Sequence, residues 1–201
     1  HGDDNGLVLP PKLAPIQVVI VPIKTDADII EYAKKLTGLL TESGVRAEFD
    51  GRDDERFGYK LNKWEIKGVP LIIKLGGKEV EDGSATIRRR DNFAEINCPN
   101  EVLQSTVTGL LDQIQNDLLN KSQAINQTGT KQASNYDEMK QVLKEHKGFV
   151  KVFWNDNPEI EAKIKQETKA VSRCKIGSEK GGKDFYTGEP ASDIWLFAQS
   201  Y

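Results

Sequence analysis

The sequence predicts an α/β fold in two parts, a larger domain of sheet and helices followed by a small α/β (α+β) C-terminal domain. Three observations carry this. A β-branched run at 16–23 is followed by an amphipathic helical pattern and a second strand-like run, the strand–helix–strand order of a parallel pair. A long helical pattern at 100–119 offers an apolar face that must cover something. After a stretch almost devoid of large apolar residues, helix and strand patterns alternate again from 136 to the end. The chain has 201 residues, of which 29% are charged; its mean hydropathy is −0.54, within the range of water-soluble folds.

Each element has its own local reason. The opening HGDDNGLVLPPKLAP is a charged turn, a short apolar run and a double proline. IQVVIVPI reads as a buried strand entered through Pro15. Thr25 stands where an N-cap is wanted, Asp28 follows three residues on, and Ile29, Ala33, Leu36 and Leu40 keep helical spacing up to a stop at Gly44. Residues 45–49 alternate as a strand. The connection PIKTDA lacks the glycines that let a backbone approach a pyrophosphate, which excludes a dinucleotide-binding turn.

GRDDERFGYKLNK reads as a polar, turn-rich stretch leading through WEIKGVP to the strand LIIKLGG; EVEDGS reads as a turn before the strand ATIRRR. In 100–119, Asn100 caps a helix whose Leu103, Val107, Leu110, Leu111, Ile114 and Leu118 recur at three and four. NKSQAINQTGTKQASN, 120–135, reads as the exposed end of that helix or as a linker, and a domain boundary is placed there. The last part reads as a helix YDEMKQVLKEH, a strand FVKVFW, a helix NPEIEAKIKQET with Pro158 in its first turn, a strand AVSRCKI, a glycine-rich loop GSEKGGKDFYTGEP and a final apolar stretch DIWLFAQSY.

Several function classes are disfavoured. No apolar run approaches the roughly 20 residues of a membrane span, no basic–apolar–small leader opens the chain, and a cytoplasmic setting is the expectation. Cys98 and Cys174 are too few and too far apart for a disulfide framework or a four-thiolate zinc site. With only His1 and His146, a nucleophile–histidine triad has almost no base. The acids Asp53, Asp54 and Glu55 lie in a polar turn, where they are solvated.

The informative segment is RFGYKLNKWEIKGVPLIIKLGGK, 56–78. Six bases (Arg56, Lys60, Lys63, Lys67, Lys74, Lys78) face one acid, Glu65, inside a chain of net charge −3, and Phe57, Tyr59 and Trp64 are interleaved with them. Bases neutralise phosphates and aromatic faces stack on unpaired bases, so the pattern suits single-stranded RNA; the lone carboxylate suits guanine, whose imino and amino groups donate. A lysine-rich strand edge that resists aggregation, with Trp64 in a core, accounts for the segment equally well. In ATIRRR the strand period places Arg88 and Arg90 on one side.

HGDDNGLVLPPKLAPIQVVIVPI followed by WEIKGVPLIIKLG, with FAQSY at the end, resembles prolyl-tRNA synthetase in its eukaryote/archaeal-like form, over the whole chain. The resemblance implies that 1–15 is the tail of a class II catalytic domain with its motif 3 region, that 16–120 is an anticodon-binding domain with a mixed sheet flanked by helices, that 121–135 is a linker or helix extension, and that 136–201 is the family's C-terminal domain. It implies that His1, Gly2 and Asp3 line the proline and adenylate pocket, and that Lys12 stands where the family has an ATP-binding arginine, keeping the charge without the fork. Glu65 falls on the family's guanine reader and Lys78 on a basic reader; Tyr59, Lys67 and Arg90 complete the anticodon surface expected here. Two family positions do not match, an aromatic stacker falling on Leu61 and an arginine reader on Ile72, so that Tyr59 or Phe57 takes the stacking role.

Many relatives bind zinc through four cysteines in the last domain; with Cys174 alone, and Asp184 where a thiolate would stand, a zinc-free version packed on Trp154, Trp195 and Phe197 is expected. The carboxylate of the C-terminal Tyr201 is expected to reach toward the active site. The parent is expected to be a homodimer that uses ATP and magnesium to make prolyl-tRNA from proline and proline tRNA, and the 201 residues alone to be inactive and without cofactor. The competing readings are a stand-alone RNA-binding accessory module and a structural tail.

Overall fold

A computed structural model describes residues 1–199, so Tyr201 lies outside the described residues. The chain divides into two compact units, His1–Asn120 and Lys121–Tyr201.

The first unit opens with a small antiparallel hairpin, β1 (Gly2–Asp3) and β2 (Gly6–Leu7). Its main sheet is formed by β3 (Val18–Pro22), β4 (Ala47–Phe49), β5 (Leu71–Leu75), β6 (Ser84–Arg89) and β7 (Glu95–Pro99) in the order β4-β3-β5-β6-β7. β3 pairs in parallel with β4 and β5, while β5–β6 and β6–β7 are antiparallel, so the sheet is mixed, as the resemblance implies. Helix α1 (Ala27–Glu42) is the crossover between β3 and β4 and buries Ile29, Ala33, Leu36 and Leu40, the four positions its periodicity singles out. Its N-cap is Asp26 rather than Thr25, and no side chain caps it.

Helix α2 (Phe57–Ile66) runs where the sequence reads as turns, and α3 (Gly77–Asp82) replaces the turn expected at EVEDGS. Phe57, Leu61 and Trp64 form a helical stripe at i, i+4 and i+7 that surrounding charges conceal. Strand β7 has no counterpart in the sequence reading; its residues are mostly exposed, so no apolar alternation announces it. A 3₁₀ turn at Asn100–Val102 precedes α4 (Leu103–Gly129), and Asn100 does not cap that helix: its amide instead hydrogen-bonds the Tyr32 hydroxyl. In the first unit, α1 and α4 cover one face of the sheet through Leu36, Leu40, Leu103, Val107 and Ile114 against Val18, Ile20, Ile73 and Ile87. On the other face α2 covers only β3 and the start of β5, with Trp64, Leu61 and Phe57 against Val19, Val21 and Ile72.

In the second unit, β8 (Thr130–Gln132), β9 (Phe149–Phe153), β10 (Ala170–Lys183) and β11 (Pro190–Gln199) form a sheet in the order β10-β11-β9-β8, mixed because β8 and β9 are parallel. The stretch 120–135 is thus the end of α4 followed by a strand. Helices α5 (Tyr136–Glu145) and α6 (Pro158–Thr168) are capped by Asn135 and Asn157, whose side chains accept backbone N–H groups of their first turns. The glycine-rich loop is shorter than its composition suggests: β10 continues through Gly177, Gly181 and Gly182 to Lys183, with register shifts along its pairing with β11.

Candidate nucleic-acid interface

The half of the sheet that α2 leaves open defines the site. Strand alternation places Lys74 of β5, Thr86 and Arg88 of β6, and Glu95 and Asn97 of β7 on the same side as Ile72, beyond the edge of the helix. Ile72 itself is 1% exposed in the core under α2, and Leu61 packs into the same cluster, so neither family position contributes a reader.

Helix α2 is fixed from below. Trp64 Nε1 donates to Asp50 Oδ2 at 2.7 Å, and the same carboxylate takes the Arg52 fork at 2.8 and 2.6 Å. Burial works to raise the Asp50 pKa, but the Arg52 and Trp64 hydrogen bonds outweigh it and hold the carboxyl at about 2. Lys60, counted above among the phosphate-binding bases, is buried, with its ammonium donating to the Arg52 carbonyl at 2.9 Å. Phe57 is half-buried against the core, which leaves Tyr59, 61% exposed, as the aromatic free to stack. Lys67 is exposed, its ammonium 4.1 Å from the centre of the Trp64 ring. Lys63 is shared between Glu55, at 3.3 Å, and the Tyr59 ring.

Glu65 sits where α2 meets the open face, with its side chain 13% exposed. Its Oε1 accepts Arg88 Nε–H at 2.9 Å; Arg88 Nη1 donates to Glu95 Oε1 at 2.9 Å, and Glu95 Oε2 takes the Lys74 ammonium at 2.6 Å. Those two cations hold the Glu95 carboxyl below the usual range. Phe93, in a left-handed backbone conformation at φ 60°, lies under both arginines, its ring centre 5.0 Å from the Arg88 guanidinium carbon and 5.2 Å from that of Arg90. Lys78, in the first turn of α3, is exposed. Glu79 anchors that helix beside it, accepting the Gly76 N–H and the Thr86 hydroxyl at 2.9 Å each.

Arg90 is a correction to the expected anticodon surface. It is 1% exposed, its Nε donates to the Glu65 backbone carbonyl at 2.8 Å, and its two terminal nitrogens bond the Asp3 carboxylate at 2.8 and 2.6 Å. A guanidinium buried and committed in this way positions the end of α2 and offers no exposed donor to a base. The period of ATIRRR is as expected: Arg88 and Arg90 share a side, and Arg89 turns to Asp91 and Asp117 on the other.

The opening segment is tied to the same place. Gly68, at φ +74°, ends α2 in a left-handed turn, and a methyl there would come within 2.7 Å of Leu7, so glycine is what lets the hairpin lie against the helix end. Gly2 and Asp3 form β1, His1 accepts the Val8 N–H, and Lys12 is exposed with its backbone N–H on Gln115. Asp3 therefore faces Arg90 in this unit.

In the second unit, Trp154 packs edge-on against Trp195 and Phe197, with ring centres 5.4 and 5.0 Å apart. The buried Asp184 accepts three backbone N–H groups, from Asn155 at 2.8 Å and from Tyr186 and Thr187 at 2.9 Å. Cys174 is exposed, and among the described residues no three His, Cys, Asp or Glu side chains could hold a metal ion. Asp184, standing where the resemblance implies a thiolate, organises the turn through these hydrogen bonds. A cleft of about 630 Å³ between α5, β9 and the β10–β11 pair is lined by Leu143, Phe149, Cys174 and Leu196, none of them a candidate reader.

A five-stranded mixed sheet with one polar, basic, aromatic-edged half-face is the architecture of an anticodon-binding domain, and residues 17–109 match the family described as "Anticodon binding domain". Residues 136–201 match "Prolyl-tRNA synthetase, C-terminal". Over its whole length the chain is 42% identical to a Proline--tRNA ligase of Flavobacterium johnsoniae and 39% identical to Proline--tRNA ligase 2 of Clostridioides difficile, covering 42% of each. Prolyl-tRNA synthetase of Cryptosporidium parvum, whose crystal structure was solved in complex with L-proline and AMP, is 32% identical and superposes with a TM-score of 0.91 over all of this chain and 44% of its own. The chain is thus a C-terminal region of the prolyl-tRNA synthetase family, and it spans less than half the length of the relatives it matches. Among the described residues no helix is long and apolar enough to cross a membrane.

Proposed function

We propose that this chain reads the anticodon of proline tRNA within a proline–tRNA ligase that makes prolyl-tRNA from proline, ATP and tRNA. The observation that carries the reading is the Glu65 carboxylate, held by Arg88 at the border of an open polar sheet face, with Tyr59, Lys67 and Lys78 exposed around it. A carboxylate accepts from guanine, an exposed ring stacks on a splayed base, and the two ammonium groups meet phosphates. ATP and magnesium act in the catalytic part of the parent, with Lys12 and the His1–Gly2–Asp3 segment at its border; the parent is a cytoplasmic homodimer through that part.

The test is titration of a proline anticodon stem–loop into the 201-residue chain. Glu65→Gln is expected to weaken binding about tenfold, the scale of one lost base-edge contact, and Lys78→Ala to weaken it several-fold and lower the salt dependence. Unchanged affinity in both variants defeats the assignment. The chain alone is expected to show no proline-dependent ATP–pyrophosphate exchange, and turnover would place catalytic residues within it.

A further inference from the structure

We infer that Arg88 is a specificity-determining residue of this interface, its Nη2–H and the Glu65 Oε2 together presenting a donor and an acceptor to the O6 and N1–H of one guanine. The inference rests on the anticodon reading above and deepens it. A guanidinium facing a carboxylate usually forms a two-point fork. Here the contact is single, Nε–H to Oε1 at 2.9 Å, because Glu95 draws Nη1–H to the other side at 2.9 Å. Among the described residues nothing takes the Nη2 hydrogens or donates to Glu65 Oε2. The fixed geometry of the guanidinium puts Nη2–H on the same side as Nε–H, so that this donor and the Glu65 Oε2 both border the Nε–Oε1 contact.

The pair is held against rotation. Phe93 stacks beneath the guanidinium, Glu95 is itself pinned by Lys74, and Arg90 fixes the backbone carbonyl of Glu65 from below. A donor beside an acceptor matches guanine, which offers O6 as acceptor and N1–H as donor. Adenine reverses both, setting donor against donor and acceptor against acceptor. The 2-amino group of guanine plays no part in this edge, and that separates the proposal from one in which Glu65 alone takes N1–H and the amino group with both oxygens.

The experiment uses the full chain and proline anticodon stem–loops in which each guanine is replaced in turn by inosine, which lacks only the 2-amino group, or by 2-aminopurine, which keeps that amino group but lacks O6 and N1–H. At one position inosine is expected to bind within about twofold of guanine and 2-aminopurine about tenfold or more weaker. In Arg88→Met the guanine loop is expected to lose about tenfold and the guanine to 2-aminopurine ratio to collapse. Arg88→Lys keeps the charge and the fold should the methionine variant misfold; it is expected to bind unrelated single-stranded RNA as the parent does while still losing the ratio. Restoration of the ratio by lysine shows a charge effect only and overturns the inference, as does inosine losing as much as 2-aminopurine at both guanines. If the parent chain prefers the proline loop and Glu65→Gln abolishes that preference while both Arg88 variants keep it, the Arg88 inference alone fails. A parent that binds a scrambled loop equally well overturns the interface itself.

Discussion

At the scale of the residue, buried carboxylates do more here than the exposed acids that catch the eye in the sequence. Asp50 joins α2 to the end of β4 through Trp64 and Arg52, and its pKa is held at about 2, below its ordinary 3.8. A carboxyl whose pKa is lower in the folded state stabilises the fold at pH values above the unfolded value, and that stabilisation disappears as pH falls through the folded one. The shift corresponds to about 2 kcal/mol. The stability difference between the protein and Asp50→Asn, measured by urea unfolding, is therefore expected to be largest above pH 4 and to shrink by that amount on going to pH 2. Asp184 does comparable work in the second unit. Asp184→Ala leaves three part-buried backbone N–H groups without their acceptor and is expected to cost about 2 kcal/mol, read by the fluorescence of Trp154 and Trp195; Cys174→Ser, at an exposed position, is expected to change stability by less than about 0.5 kcal/mol.

At the scale of the element, α2 is the one on which the site depends and the one the sequence hides. Its apolar stripe has only Phe57, Leu61 and Trp64, set among charges, so the polarity of GRDDERFGYKLNK reads as turn. Burial of the Lys60 stem completes the inner face, which composition cannot show because lysine is usually exposed. Trp64→Ala is expected to cost about 3–5 kcal/mol in denaturant unfolding and to abolish loop binding, since the stripe carries Tyr59, Glu65 and Lys67 on its outer side. By contrast α1 and α4 were legible, because Ile29, Ala33, Leu36, Leu40, Leu103, Val107 and Ile114 repeat over several turns and all of them reach the core. Only the second half of β10, beyond the strand read at AVSRCKI, escaped, because its glycines suggest a loop, whereas in the fold they accompany register shifts along an exposed strand pair.

At the scale of the whole molecule, a net charge of −3 gives no general attraction for nucleic acid, and half of the bases in 56–78 turn out to be committed. Lys60 is buried, Lys74 pairs with Glu95 and Lys63 with Glu55, which leaves Arg56, Lys67 and Lys78 exposed to meet phosphates under the proposed reading. With two or three such contacts, the logarithm of loop affinity is expected to fall with the logarithm of salt at a slope of about −2, the single-strand value for that number of phosphates. A slope several times steeper would place a larger basic surface elsewhere on the chain. Affinity is then set more by base edges and stacking than by charge, which is the balance that a reader of a short triplet requires.

The amino-acid sequence by itself determined the α/β class, the parallel strand–helix–strand unit, the helices with repeating apolar faces and the position of Glu65, because these follow from local periodicity and from motifs that are contiguous in the chain. It also put Arg88 and Arg90 on one side, since a strand period needs nothing beyond the strand. Only the tertiary structure decided what those side chains do. Arg90 meets Asp3, far away in sequence, and is buried; Arg88 meets Glu65 and Glu95 and stays at the open face. Which carboxylate captures which guanidinium depends on strand order and on how far α2 reaches across the sheet, and both are set by packing between segments that no local window contains.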